Sequence, residues 1–384
     1  MKLRWFQYLA VISIALLLAG GAQTSRRPRY GGTLRVEIGA VVHSLDPAGA
    51  STDLGEAAAR DEIGTLLYDQ RNPDGTFAGV AGSGAFHIAA WELGKHLTLT
   101  ANENYRAGRA FLDSIDIEMG RSAKDRLLDL EVGKTDFAEI PPEEAQRASE
   151  RGVRVSTSKP QELVALVFVA GRPAAENPRA REALARSIDR AAIVNFILQK
   201  EGEPAGGLLP QWSNGTAFLF STSTDAAGAK VLWSQIAASP RIVLGYDSGD
   251  SLGQAIAERI AVTARDAGIE LAVEPIASPA PSRPNYDARL VRMPMTSTHP
   301  REALASFQAA LVQVAGLDAV GLPVGASSEQ IYERERSIVS GYRVVPLVWL
   351  PRVYGLGVRV RDWKVPAAGE GWPFADVWLE QESQ

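Results

Sequence analysis

Cysteine is absent from this 384-residue chain. That absence excludes disulfides, thiol nucleophiles, cysteine-ligated zinc or iron–sulfur centres, and a lipid-modified cysteine at an export junction. Histidine is nearly as scarce. His43, His87, His96 and His299 show no metal-ligand spacing, so neither a metal nor a cofactor is expected. His87 and His96 flank an expected hairpin, which by itself is a weak metal signal. A phosphate loop, a His-Glu-x-x-His pair and a dinucleotide fingerprint are also missing. No basic excess is present: the formal charge is −5, which argues against nucleic acid as a partner. Beyond the first residues, no apolar run reaches the roughly 20 residues of a membrane span.

What the chain does have begins with a leader. Lys2 and Arg4 precede the apolar run Tyr8 to Ala19, and Gly20-Gly21-Ala22 supplies small residues. This pattern predicts an export signal over 1–22, cut after Ala22, with an uncleaved anchor as the alternative. Its departure removes two cations and no acid, leaving a mature charge of −7. At 46% apolar and 22% charged residues, the remainder can bury substantial cores, and its length favours two lobes over one.

Periodicity supplies the elements. Leu34, Val36 and Ile38 alternate with polar residues in a strand over 33–38. Residues 53–68 read as a helix. Phe86 to Trp91 and His96 to Thr100 read as a hairpin around Glu92-Leu93-Gly94-Lys95, and Ile115, Ile117 and Met119 alternate again. A helix over 122–132 stops at Gly133. Asn177 and Pro178 open a helix expected to run to Lys200, with Leu184, Ile188, Ala192 and Phe196 as its apolar stripe. Residues 242–274 form the clearest unit. A short apolar strand, a helix striped by Leu252, Ile256, Ile260 and Ala264, and a second alternating strand mark an α/β layer. A helix near 328–340 and the apolar strand Val344 to Leu350 close the chain.

The order of these segments resembles the bacterial extracellular solute-binding proteins of the dipeptide, oligopeptide and nickel type, the receptors of ATP-driven importers. Tyr30-Gly31-Gly32-Thr33-Leu34-Arg35-Val36 with Ser44-Leu45-Asp46-Pro47-Ala48 is similar to that family's opening strand and turn. Gly82-Ser83-Gly84-Ala85-Phe86 and Trp91-Glu92-Leu93-Gly94-Lys95 resemble its glycine-rich hairpin and tryptophan turn, and Asn102-Glu103-Asn104-Tyr105 continues the match. The segment Glu131-Val132-Gly133-Lys134-Thr135-Asp136 and the helix from Arg179 to Arg190 (RAREALARSIDR) complete the series. Two departures stand out. A turn replaces the family's extra subdomain between Tyr68 and Val80, and Met293 to Pro300 lacks the acid that peptide-binding members present to a free amine.

The resemblance implies an α/β fold, two-lobed and periplasmic-binding-protein-like (type II, Venus-flytrap), with mixed sheets flanked by helices. It places lobe I at 29–165 plus 349–384 and lobe II at 166–348, with crossovers near Leu166–Val169 and Trp349–Pro351. It also implies a periplasmic, monomeric receptor that delivers a small-molecule or peptide ligand to an ABC transporter permease in the inner membrane. Ala50, Ser51 and Thr52 would line the cleft from lobe I, and Met293, Met295 and Thr296 from lobe II. Trp212 would stack on the ligand. Each has a plainer alternative: a solvated loop for Ala50–Thr52, packing for the methionines, turn anchoring for Trp212. Arg289 is a candidate partner for an anionic group, or a solvated strand arginine.

Two other functions stay open in the sequence. A shortened relative that no longer carries solute would act as an interaction or scaffold protein. A hydrolase would rest on Ser248 in Gly245-Tyr246-Asp247-Ser248-Gly249, between strand and helix. That spacing is not Gly-x-Ser-x-Gly, and a helix cap accounts for the same residues.

Overall fold

Alternation in Thr33–Glu37 buries Leu34 and Val36, and this strand sits inside a much larger sheet. The computed structural model describes residues 27–46, 54–68, 70–71, 77–78, 82–214, 219, 221–236, 240–277, 284–318 and 321–380. Its main strands are β1 (Thr33–Glu37), β2 (Phe86–Glu92), β3 (His96–Ala101), β4 (Ser114–Glu118), β5 (Phe137–Ile140), β6 (Arg154–Phe168), β7 (Ile242–Asp247), β8 (Leu271–Ile276), β9 (Ala288–Pro294) and β10 (Val344–Leu356). They lie in the order β8-β7-β9-β6-β10-β5-β1-β4-β3-β2, and the short strand Glu203–Pro204 pairs with β10 to make 11 strands. The sheet is mixed. β1 is parallel to β4 and β5, β7 is parallel to β8 and β9, and β6 and β10 run antiparallel between the two sets.

Helices cover this sheet: α1 (Leu54–Leu67), α2 (Ala123–Glu131), α3 (Pro178–Ser187), α4 (Ala226–Ser234), α5 (Ser251–Asp266), α6 (Pro300–Ala315) and α7 (Ser328–Val339). Their packing divides into two bodies. In the first, α1 lays Ile63, Leu66 and Leu67 on β1, β3 and β4, together with Phe137, Tyr354, Trp372 and Phe374. In the second, both faces of the sheet are buried, as expected where helices flank strands on each side. Along β6, Val164, Leu166 and Phe168 face α3 and α5, while Leu163, Ala165 and Val167 face α6 and α7. Such a strand carries no alternation to read, because both of its faces are apolar.

The motifs that carried the family resemblance have local mechanical roles. The Gly82-Ser83-Gly84 turn wraps the end of α1, with the Gly82 and Gly84 N–H groups both donating to the Leu67 carbonyl at 2.9 Å. A Cβ on Gly84 would run into the α1 backbone. Asn102 Nδ2 donates to the carbonyls of Gly82 and Gly84 and fixes the turn to β3. Asp136 is buried and accepts from Arg35 Nε at 2.8 Å and Arg359 Nε at 2.7 Å, tying β1 to the C-terminal segment. Arg181 donates to the carbonyls of Ala175 and Gly341, and the buried Arg190 donates to the Pro346 carbonyl at 2.9 Å. These arginines staple α3 and its continuation to β10.

The helix expected over 178–200 is broken. It ends at Ser187, Ile188 turns extended, and Asp189 accepts from the Ala192 N–H to start a short turn followed by a π segment over Ile193–Ile197. The sequence contains its own second cap in Asp189, and a cap inside a periodic stretch restarts the helix on a new axis. Ile188 and Ala192 are buried, but Phe196 is 71% exposed and off the expected stripe.

The long strands β6 and β10 join the two bodies. Leu163 to Phe168 pack wholly with the second body, as do Trp349 and Leu350. The β6–β10 register slips between Leu350 and Pro351 and again between Pro351 and Val353. Gln70–Arg71 pairs antiparallel with Phe77–Ala78.

Candidate functional site

Charged side chains from seven elements converge where the straps cross. From the first lobe come Glu62 on α1, Glu139 at the end of β5 and Glu143 in the 3-10 turn that follows. From the second come Arg292 on β9 and Asp250 at the start of α5. The straps add Glu162 on β6 and Arg352 on β10. Arg352 bridges Glu62 and Glu139 with its two terminal nitrogens. Arg292 forms a two-pronged pair with Glu162, at 2.8 and 2.7 Å, and reaches Asp250 at 3.3 Å. Arg352 also faces Glu162 electrostatically, so the two clusters form one network. Two-pronged geometry suits arginine, whose planar fork matches a carboxylate.

The carboxyls in this network differ in charge state. Burial pushes Glu62 up to about 8, because it outweighs the facing Arg352, and the neighbouring Glu139 and Asp61 carboxylates add to the rise. Burial also raises Glu143, with Arg292 opposing and Asp250 adding to it. Burial works on Glu162 in the same sense, but the two-pronged Arg292 overcomes it and holds that carboxyl below its ordinary range. Tyr354, fully buried, shares a sheet face with Arg352 and pairs in register with Glu139; its hydroxyl has no hydrogen-bond partner. Burial raises the phenol, so it stays protonated beside the carboxylates.

A second contact closes the gap. The C-terminal segment leaves the first lobe's core at Val365, inserts Ala368 among the second lobe's apolar side chains and returns at Trp372. Gly369, at φ +80°, abuts the Thr296 carbonyl so tightly that a Cβ would overlap it. Only a residue without a side chain fits both the angle and the space.

The site residues expected from sequence distribute unevenly. Thr296 is exposed and lies on this clasp. Met293 and Met295 are buried, at 2% and 4% exposure, among Leu163, Phe307 and Trp349, so their thioethers pack the second lobe instead of facing a guest. Trp212 is half-buried and already engaged: its indole N–H donates to the Pro160 carbonyl at 2.8 Å, and Lys159 Nζ sits 5.5 Å from its ring centre. This anchors the second lobe to the β6 strap. Ala50, Ser51 and Thr52 lie outside the described residues. Arg289 is on β9, on the face opposite that of Arg292, and its Nε is buried without a partner.

Sequence reasoning missed the charged network altogether. Glu62, Glu139, Glu162, Asp250, Arg292 and Arg352 are far apart in the chain, and only Glu62 and Asp250 sit in segments whose apolar spacing was read. The available signal was a charge at an inward position: Arg352 interrupts an almost unbroken apolar strand, and Glu162 starts one. The histidines do not form a site. His87 Nε2 meets Thr100 Oγ1 at 2.8 Å, while His96 lies 4.0 Å from Asp116. Among the described residues no group of three or more acids and histidines is arranged for a metal. Ser248 occupies a plain turn, its N–H donating to the Ile276 carbonyl and Asp247 Oδ1 accepting from Gly249.

Two lobes, two antiparallel straps and a charged gap at their crossing define the class of two-lobed binding proteins. The chain belongs to the bacterial extracellular solute-binding proteins, family 5, whose model matches residues 53–310. Among curated proteins it is 26% identical over 125 residues to the oligopeptide-binding protein AppA of Bacillus subtilis, covering 32% of this chain and 23% of that one. It is 25% identical over 229 residues to the probable D,D-dipeptide-binding periplasmic protein DdpA of Escherichia coli, covering 59% of this chain and 42% of that one. The chain thus spans less than half the length of these relatives. Among solved structures, DppA of Helicobacter pylori with the peptide STSA superimposes with a TM-score of 0.71 at 15% identity, covering 94% of this chain and 100% of that chain. The substrate-binding protein CtaP of Listeria monocytogenes gives 0.71 at 15% identity, covering 91% and 100%. At these identities the structures speak for the fold.

Proposed function

We propose that this chain is an exported receptor that traps a small solute between its lobes and presents it to an ABC transporter permease, without chemistry of its own. The observation that carries the reading is the convergence of both straps on one charged gap. Bending at the straps would move the Arg352–Glu62–Glu139 half of the network against the Glu162–Arg292–Asp250 half, so closure would bring the two halves together. Family membership supports solute capture, and the named peptide receptors among its relatives make peptide-like solutes the first ligands to try. The leader over 1–22 and the lack of cysteine fit a freely soluble monomer in the periplasm. Thr296, with the loop holding Ala50, Ser51 and Thr52, would form the rim of the gap, and Trp212 would steady the strap beneath it.

The test is a solute screen read in two ways. Small-angle scattering follows lobe closure, and intrinsic tryptophan fluorescence follows Trp212, Trp349 and Trp372, which lie at the gap and its clasp. A solute that lowers the radius of gyration and shifts the emission together supports the receptor. Failure of every peptide, amino acid, amine, sugar and organic acid to do either would refute it.

A further inference from the structure

We propose that the C-terminal loop Pro366–Gly371 is a latch, which holds the two lobes together by the chain's own contacts and must let go before they part. The proposal goes beyond the receptor reading, since no solute takes part in it. Three observations carry it. First, the loop has its ends in one lobe and its tip in the other. Val365 and Trp372 pack in the first lobe's core, whereas Ala368, 8% exposed, packs in the second lobe's. The loop is thus a contact between the lobes separate from the two straps, and swinging the lobes apart about β6 and β10 draws Ala368 out.

Second, the loop docks on surfaces that are themselves held. On the first lobe Gly371 abuts Thr65 of α1, whose hydroxyl donates to the Glu62 carbonyl at 2.6 Å. On the second lobe Gly369 abuts the Thr296 carbonyl, and both neighbours of Thr296 are tied down. The Met295 N–H donates to the Gln161 carbonyl at 2.8 Å, and Ser297 Oγ donates to Glu302 at 2.7 Å. A Cβ at either glycine would overlap these partners, so the fit depends on bare backbone at both contacts. Helix α1 also lies against β9, so the loop fastens the same two elements that carry Glu62 and Arg292.

Third, the loop is stiff but its grip is small. The Glu370 N–H donates to the Ala367 carbonyl at 2.9 Å, and the Glu370 carboxylate accepts from the Ala367 N–H at 3.0 Å, which closes a turn that moves as one piece. The side chain it inserts in the second lobe is a single methyl group. Withdrawing one methyl from an apolar core shifts an equilibrium only about fourfold. Such a contact suits a latch that opens, and a permanent tie would need more. For a receptor the latch sets how much of the protein can load, because apparent affinity falls as the binding-competent fraction falls.

Distances between two spin labels, measured by pulsed electron resonance on the full chain without any solute, test the latch. The chain has no cysteine, so Val132→Cys at the end of α2 and Val231→Cys on α4 supply the only labels. These positions are 67% and 57% exposed and lie on different lobes. One narrow distance distribution is expected with the loop intact. Ala368→Asp puts an unpaired carboxylate among apolar side chains, and it is expected to move most molecules to a second, displaced and broader distribution. Ala367→Ser, at the exposed neighbour, is expected to leave the distribution as it was. Melting curves establish that the variants fold; should Ala368→Asp not fold, Gly369→Ala decides by the same distances. A distribution that the deciding variant leaves unchanged, or one already broad with the loop intact, would overturn the latch. Either result leaves the receptor reading to the solute screen, and a screen in which no solute acts leaves the latch standing.

Discussion

Glu62 offers a quantitative handle on the gap. Its carboxyl sits at about 8 in the folded protein against an ordinary 4.5, so the folded state holds a proton there that the unfolded chain releases earlier. The sign follows from linkage. The contribution is fully present below pH 4.5, where both states are protonated, and is lost as pH rises through 8. Between pH 7 and pH 9 the loss amounts to about 1.4 kcal/mol. In a protein of this size that corresponds to about 2 °C of melting temperature. The groups facing Glu62 are Arg352, Glu139, Asp61 and Tyr354, and none of them removes its proton under these conditions except through Arg352. Glu62→Gln deletes the titration while keeping the shape, and Arg352 retains Glu139, so no buried charge is orphaned. Glu37 and Glu335, both raised to about 7 by burial, also lower stability on the alkaline side. They are common to both proteins, so the difference between the two melting curves isolates Glu62. The assay is thermal melting at half-unit steps from pH 5 to pH 9. Curves that stay parallel across that range would refute the claim that Glu62 is neutral in the fold.

Three further outcomes follow from single contacts. Gly369→Ala places a side chain at φ +80° against the Thr296 carbonyl; the left-handed backbone alone costs about 1–2 kcal/mol. Scattering should show a larger radius of gyration as the clasp releases, and an unchanged radius would mean that the clasp does not hold the lobes. Phe307→Ala empties the center of the second lobe's core, where Phe307 is 1% exposed and lies 6.0 Å from the ring of Trp349. Denaturant melts should show a loss of about 3–5 kcal/mol. Trp212→Phe removes the indole donor and leaves the Pro160 carbonyl unmatched; a stability loss of about 1 kcal/mol is expected, and hydrogen exchange should quicken first along β6.

Periodicity made most elements readable, and the reasons it failed elsewhere are physical. Helices α1, α2, α5 and α7 came through because each buries one stripe and exposes the other, and β1, β3 and β4 because each buries one face. The straps were obscured for two opposite reasons. The second half of β6, Leu163 to Phe168, is apolar on both faces, and its first half, Arg154 to Pro160, is half-buried or exposed throughout. Neither half alternates as a whole strand should. Burial changes inside this strand, between its half-buried first half and its fully buried second half. The break at Ile188 was legible in principle, because Asp189 is a cap residue in mid-helix, but an unbroken spacing of apolar residues overrode it. The site was the least legible part, since its charges come from segments that only the tertiary fold brings together.

The straps explain why the charged groups stand where they do. A hinge strand must leave one lobe's core and enter the other's, and at that point its side chains belong to neither. Glu162 and Arg352 occupy those positions, immediately before and after the buried runs of β6 and β10. An apolar residue there would be exposed whenever the lobes part, and an unpaired charge would be penalised whenever they close. A charge whose partners all lie on one lobe tolerates each state: Arg352 keeps Glu139 and Glu62 of the first lobe, while Glu162 keeps Arg292 of the second. The pairs divide by lobe, so opening separates the two halves of the network without breaking either. What opening would change is the distance between the halves, which puts Glu162 and Asp250 nearer to Glu62 and Glu139 only when the lobes meet.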